Sequence, residues 1–248
     1  MTPVSKNDAR RIYLASDAKL VFQEGYDLFY EDFSEQNSAE PYLAEGCLCV
    51  RSDTSWLVHA LNASSDPVRA GKEIVQHMKT GEHLYFCILG DAPEKLRDRA
   101  GSYKLAREAR TYSDPEIRPL MPEDAPQIAA CCAPDPEDTD IGRRIAKEAL
   151  VWSEDPPTAV GSPLGIFRDG TLCGFVEGRR SPMTGITPIN IFVKRAYRGQ
   201  GYAKRLLNAF CARPGTVYCY SCVKSNLASY RTALSCGFRK VGEYLLIV

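Results

Sequence analysis

Net charge is the first thing this chain lacks. Over 248 residues, 31 Lys and Arg stand against 31 Asp and Glu. With no basic excess, nothing draws it to a nucleic acid or an anionic membrane surface. Long apolar runs are missing too: none reaches the ~18–20 residues of a membrane span. The opening stretch, MTPVSKNDARRIYL, has no apolar core of the kind a secretory leader carries. The expectation is a soluble cytoplasmic protein with no membrane and no nucleic-acid partner. Histidine is scarce as well. His59, His77 and His83 are the only three, all in the N-terminal half and at no ligand spacing, so no metal is expected.

Cysteine, by contrast, is plentiful, with ten in the chain. Without a secretory signal, disulfides are not expected. Cys219 and Cys222 form a CxxC, but inside a predicted strand, where three-residue spacing puts them on opposite faces. The thiols read as small apolar core residues.

Residues 186–210 carry the strongest local signal. Ile186 to Val193 is β-branched and alternating, the pattern of a strand. Ala203, Leu206, Leu207 and Phe210 mark one face of a helix. Between them, Arg198-Gly199-Gln200-Gly201-Tyr202-Ala203 forms a glycine-rich strand-to-helix junction. There, backbone amides and the positive end of the helix dipole converge on one point, an arrangement suited to phosphate. A dinucleotide fingerprint would need Gly where Lys204 stands, and no Walker A sequence is present.

The pattern Arg198, Gly201, Ala203 resembles the phosphate turn of the GNAT superfamily of N-acetyltransferases. A second stretch agrees. Asn226, Gly237 and Phe238 fall on the family's Asn-led helix and Gly-Phe motif, while Ser229 and Thr232 replace its usual Ala and Leu. Ala233 stands where the family usually has a Tyr. The resemblance implies an α/β (α+β) fold with a mixed, mostly antiparallel twisted sheet flanked by helices. It also implies acetyl-CoA as co-substrate, with no metal. The turn residues Arg198, Gly199, Gln200, Gly201, Tyr202 and Ala203 would hold its pyrophosphate. The backbone of Ile191 and Val193 would pair with the pantetheine arm, with Asn226 and Ser229 beside it. Tyr230, one helical turn before Ala233, is the candidate acid. Glu177, ending the third strand of this half, is the candidate base. The expected reaction moves an acetyl group to a primary amine of a small molecule. A non-catalytic acyl-CoA-binding protein and a protein N-acetyltransferase are the alternatives, and a homodimer is compatible with either.

Residues 115–248 hold this acetyltransferase unit. Ile117–Leu120 reads as its first strand, and Arg118-Pro119 followed by Asp124 and a helix resembles the family's opening. An acidic loop (Asp135, Glu137, Asp138, Asp140) and a helix to Trp152 would line the acceptor cleft. Asp169-Gly170 marks a hairpin. The strand after Phe238 has no successor in the sequence, so its open edge needs cover, which the N-terminal half is expected to give. Residues 1–114 read as a smaller α/β domain. It comprises a partial helical period over Leu20–Phe33, a hairpin over 46–62, a helix from Pro67 to Lys79, a strand His83–Leu89 and a helix from Asp91 to Ala100. The order suggests a degenerate repeat of the C-terminal half with no phosphate turn. Residues 104–116, which are polar, read as a linker.

Overall fold

A computed structural model describes the chain except residues 22–38, 53, 133–162, 179, 182–183 and 214. The chain forms two compact units. The first takes in Met1–Ala106, Ser221–Tyr230 and Arg239–Val248; the second takes in Arg107–Tyr220 and Arg231–Phe238.

In the first unit, β1 (Thr2–Pro3), β2 (Glu40–Ala44), β3 (Cys47–Arg51) and β4 (Ser55–Ala60) form an antiparallel run. β5 (His83–Leu89) joins β4 in parallel, through helix α2 (Pro67–Val75). The Asp66 side chain caps α2 by accepting from the Arg69 amide at 2.9 Å. Pro67 opens the helix, where a missing N–H costs nothing. Ile74 is buried while Val75 is 55% exposed, and the helix stops at Val75, short of the expected Lys79. A helix absent from the sequence reading, α1 (Lys6–Ala15), is capped by Ser5, whose hydroxyl accepts from the Asp8 amide.

Two expectations for this half fail. In place of a helix from Asp91 to Ala100 there is only a 3-10 turn, Glu94–Leu96. Asp91 is drawn into an ion pair with Lys240 at 2.6 Å instead of capping a helix. The supposed linker from 104 begins as β6 (Gly101–Glu108), with Lys104 and Arg107 buried. The Lys104 ammonium donates to the Ser221 hydroxyl at 2.8 Å and lies over the Tyr244 ring, which lets a charged residue occupy a core strand.

The expectation of cover for the final strand is met from within the first unit. β12 (Arg239–Leu246) pairs antiparallel with β5 on one side and β6 on the other. Glu243 on β12 is 4% exposed. Burial alone would raise its carboxyl, but hydrogen bonds from Lys224 and Lys240 hold it below the ordinary range.

In the second unit, β7 (Ile117–Pro119), β8 (Leu164–Arg168), β9 (Thr171–Glu177) and β10 (Ile186–Val193) are antiparallel neighbours in that order. β11 (Val217–Val223) pairs with β10 in parallel across helix α4 (Tyr202–Phe210). Arg118 grips Asp124 through both guanidinium nitrogens at 2.7 and 2.8 Å, and Asp124 also accepts from the Met121 amide. This clasp sets the start of helix α3 (Ala125–Cys132). α3 covers a core of Ile128, Cys131, Leu172, Phe175 and Phe192. Helix α5 (Leu227–Ser235) follows β11. The acidic loop at 135–140, the helix expected to Trp152 and nearly all of Leu20–Phe33 lie outside the described residues.

Candidate functional site

The site of the second unit grows out of β10. Its first half, Ile186–Ile189, pairs with Val217–Tyr220 of β11; its second half, Asn190–Val193, pairs with Gly174–Glu177 of β9. The Lys194 amide donates to the Cys173 carbonyl at 2.9 Å. Antiparallel bonding alternates, so the backbone groups of Asn190 and Phe192 also face β9, while those of Ile191 and Val193 face away from it. The predicted pair thus presents its N–H and C=O groups on one edge, as strand addition by an extended ligand requires.

That edge leads into the glycine turn. After the 3-10 turn Arg195–Tyr197, Gly199 (φ +76°) and Gly201 (φ +83°) adopt left-handed conformations. An L side chain there would be strained. A Cβ built on either glycine would have no atom within 4 Å, so the space above the turn is open. Gly201 is the N-cap of α4 and offers no side-chain bond, so nothing of its own satisfies the first-turn amides. Arg198, Gly199, Gln200 and Gly201 are exposed. No acid lies in this stretch. The turn therefore fits a pyrophosphate.

The predicted side chains divide by role. Arg198 donates through Nε to the Val193 carbonyl at 2.9 Å and lies over the Phe192 ring, joining turn to strand. Gln200 donates to the Ala196 carbonyl and braces the turn. Tyr202 is buried, edge-on to Tyr197, so only its backbone serves the turn. Ala203 sits in the first turn of α4. Glu177 is 7% exposed and directly opposite Asn190, whose amide nitrogen donates to its carboxylate at 3.3 Å. Sequence reasoning missed Asn190. Its signal was the one amide side chain of the strand, on the same face as Phe192.

Asn226, Ser229 and Tyr230 belong by their contacts to the first unit. Asn226 caps α5, accepting from the Ser229 amide at 3.0 Å. Tyr230 packs on Tyr103 with ring centroids 4.6 Å apart. Ala233, at the position of the usual Tyr, is fully buried. Cysteine chemistry finds no support here. Burial pushes the Cys222 thiol up to about 11 and the Cys211 thiol to about 12, so both stay protonated and unreactive near neutral pH. Among the described residues no group of His, Cys, Asp or Glu is placed to hold a metal ion.

Helix α4 is anchored by an acid whose side chain is buried. Arg205, in its early turns, donates to both oxygens of Asp114 at 2.7 and 2.6 Å and to Glu116 at 2.6 Å. The Arg205 hydrogen bonds hold the Asp114 carboxyl below its usual range. Its folded pKa thus lies under the unfolded ~3.9. The stabilisation is complete above about pH 4 and is withdrawn as pH falls through the lower folded value. Asp114→Asn is expected to lower stability at pH 7 by about 1–2 kcal/mol and to flatten the acid limb of urea midpoints. An equal loss at pH 2.5 and pH 7 would contradict this linkage.

The comparisons with known proteins agree with this geometry. The acetyltransferase (GNAT) family matches residues 123–238. An acetyltransferase of the GNAT family from Colwellia psychrerythraea superposes with a TM-score of 0.62 at 14% identity, covering 99% of this chain and 98% of its own. A GCN5-related N-acetyltransferase from Sphaerobacter thermophilus gives 0.54 at 16% identity, covering 99% and 93%. A Drosophila protein gives 0.54 at 14%, covering 99% and 97%. At such identities the likeness is one of fold. No curated protein matches the chain in sequence.

Proposed function

We propose, from the match of residues 123–238 to the acetyltransferase (GNAT) family, that the protein moves an acetyl group from acetyl-CoA directly to a primary amine of a small molecule. The observation that carries this reading is the outward-facing backbone of Ile191 and Val193 running into the uncapped Gly201 turn. The turn amides would hold the pyrophosphate, and the strand edge would align pantetheine. One amide of that edge would stabilise the carbonyl oxygen as it gains charge, an effect of about 2.7–4 kcal/mol.

The new bond joins amine nitrogen to carbonyl carbon, and the bond from that carbon to sulfur breaks. The amine must shed a proton and the departing thiolate must gain one. Glu177, held by Asn190, is the proposed base. Tyr230, one helical turn before the motif position held by Ala233, is the proposed acid, and Asn226 and Ser229, which stand at motif positions, are proposed to flank the pantetheine. Burial of Ala233 and the Tyr230–Tyr103 contact favour the second reading, acyl-CoA binding without turnover. Protein acetylation remains an alternative in acceptor only.

A thiol-release assay over a panel of amines, run beside calorimetric CoA binding, separates these readings. Turnover on a small amine is expected, with Glu177→Gln lowering kcat about 100-fold or more while CoA affinity holds. Tight CoA binding with no turnover on any acceptor would leave only the binding reading.

The first half also repays comparison with the second. Each unit contains parallel strands joined through one helix: β4–α2–β5 and β10–α4–β11. In the first, the helix start is filled by the carboxylate of Asp66. We read residues 1–114 as a degenerate copy whose anion cradle is closed by its own acid, and residues 115–248 as the acetyltransferase half.

A further inference from the structure

Within the second unit, at the C-terminal ends of α4 and α5, lies a cavity of about 330 Å³ lined by Arg107, Arg110, Tyr112, Asn208, Cys236 and Gly237 among others. Arg107 is 5% exposed. Its Nε donates to the Glu108 carbonyl, and its Nη1 donates to Asn208 Oδ1 at 3.0 Å and the Cys236 carbonyl at 2.6 Å. Its Nη2 has no hydrogen-bond partner among the described residues. Arg110 approaches the same place: a Cβ at Gly237 would lie 3.2 Å from its Nη1. Adjacent residues 236 and 237 therefore each meet a guanidinium group.

No carboxylate lines the cavity. Glu108, beside Arg107 in the sequence, is exposed and outside the cavity lining, and Asp114 is occupied by Arg205 and by the Tyr112 hydroxyl. The C-terminal dipole of α5 supplies about half a negative charge against two full positive ones. Two such cations close together repel, and a buried one without a counter-charge is costly. A tetrahedral oxyanion would relieve both, since the guanidinium fork matches its oxygens in pairs. The volume suits a small ligand.

We propose that this cavity binds a phosphate-type oxyanion, free or as the terminal group of a small phosphorylated metabolite. It is separate from the glycine turn, since Gly201 and Asn208 stand about 10 Å apart along α4. One helix would then hold an anion near each end, by amides at its start and by guanidinium groups at its finish.

The test uses full-length Gly201→Glu protein, so that the glycine turn cannot act as the phosphate receptor. Inorganic phosphate is titrated calorimetrically, with chloride holding ionic strength constant. Saturable binding is expected, and Arg110→Glu in the same background should weaken it at least about tenfold. Arg110 is exposed, so this change spares the buried bonds of Arg107. A sugar monophosphate run in parallel separates the two sources: tighter binding than phosphate assigns the site to a metabolite, and equal binding assigns it to the free ion. Wild-type protein saturated with CoA repeats the titration independently of the Gly201 substitution. Absence of saturable binding in both proteins, or unchanged affinity after Arg110→Glu, overturns the proposal.

Discussion

Gly201→Glu is expected to abolish coenzyme A binding, with a loss of at least about 100-fold, or roughly 2.7 kcal/mol. Two effects add. The residue sits at φ +83°, where a non-glycine side chain is strained by about 1–2 kcal/mol. The new carboxylate would also stand where the turn amides await an anion, and it would repel a pyrophosphate. Because no atom lies within 4 Å of a Cβ built there, the protein should still fold. Gly201→Ala separates the effects, since it carries strain without charge and should lose less affinity. Isothermal calorimetry with CoA, beside circular dichroism, measures both. A folded Gly201→Glu protein with unchanged affinity would remove the glycine turn from the site altogether.

The second large effect concerns β12. Gly242→Val should destabilise the first unit by about 4 kcal/mol or more. A Cβ at Gly242 would meet the Ile88 carbonyl oxygen at 2.2 Å and Val21 Cγ2 at 2.6 Å, so backbone must move. Removal of residues 239–248 should go further, because β5 and β6 lose the strand between them and the fully buried Leu245 is lost from the core. The converse also holds. A polypeptide of residues 115–248 keeps β12 but lacks both its partners, leaving a strand prone to aggregate. Denaturant unfolding and size-exclusion chromatography report on each. A monomeric 115–248 with a sharp cooperative transition would show that β12 needs neither neighbour.

What the residues disclosed follows how locally each element is determined. The β10–turn–α4 stretch was readable because its alternation, glycines and helical spacing all lie within 25 residues. The hairpin at Asp169-Gly170 was equally plain, with both residues at positive φ. β6 was not readable, because Lys104 and Arg107 look like surface residues until Ser221, Tyr244 and Cys236 supply their partners from over a hundred residues away. The helix expected from Asp91 failed for the same reason: Lys240, far along the chain, claims the capping carboxylate. At the site, the turn residues were found by motif. Asn190 was not, since its meaning lies in the register that sets it opposite Glu177.

The insertion of β12 between β5 and β6 also fixes an order of events during synthesis. Domains commonly fold as they emerge, the N-terminal one first. Here the first unit must wait, because its sheet is not closed until residue 246 has left the ribosome, after all of the second unit. Until then β5 and β6 stand as unmatched edges on the nascent polypeptide. A stalled or truncated translation product would carry them into the cell as a target for chaperones and proteases.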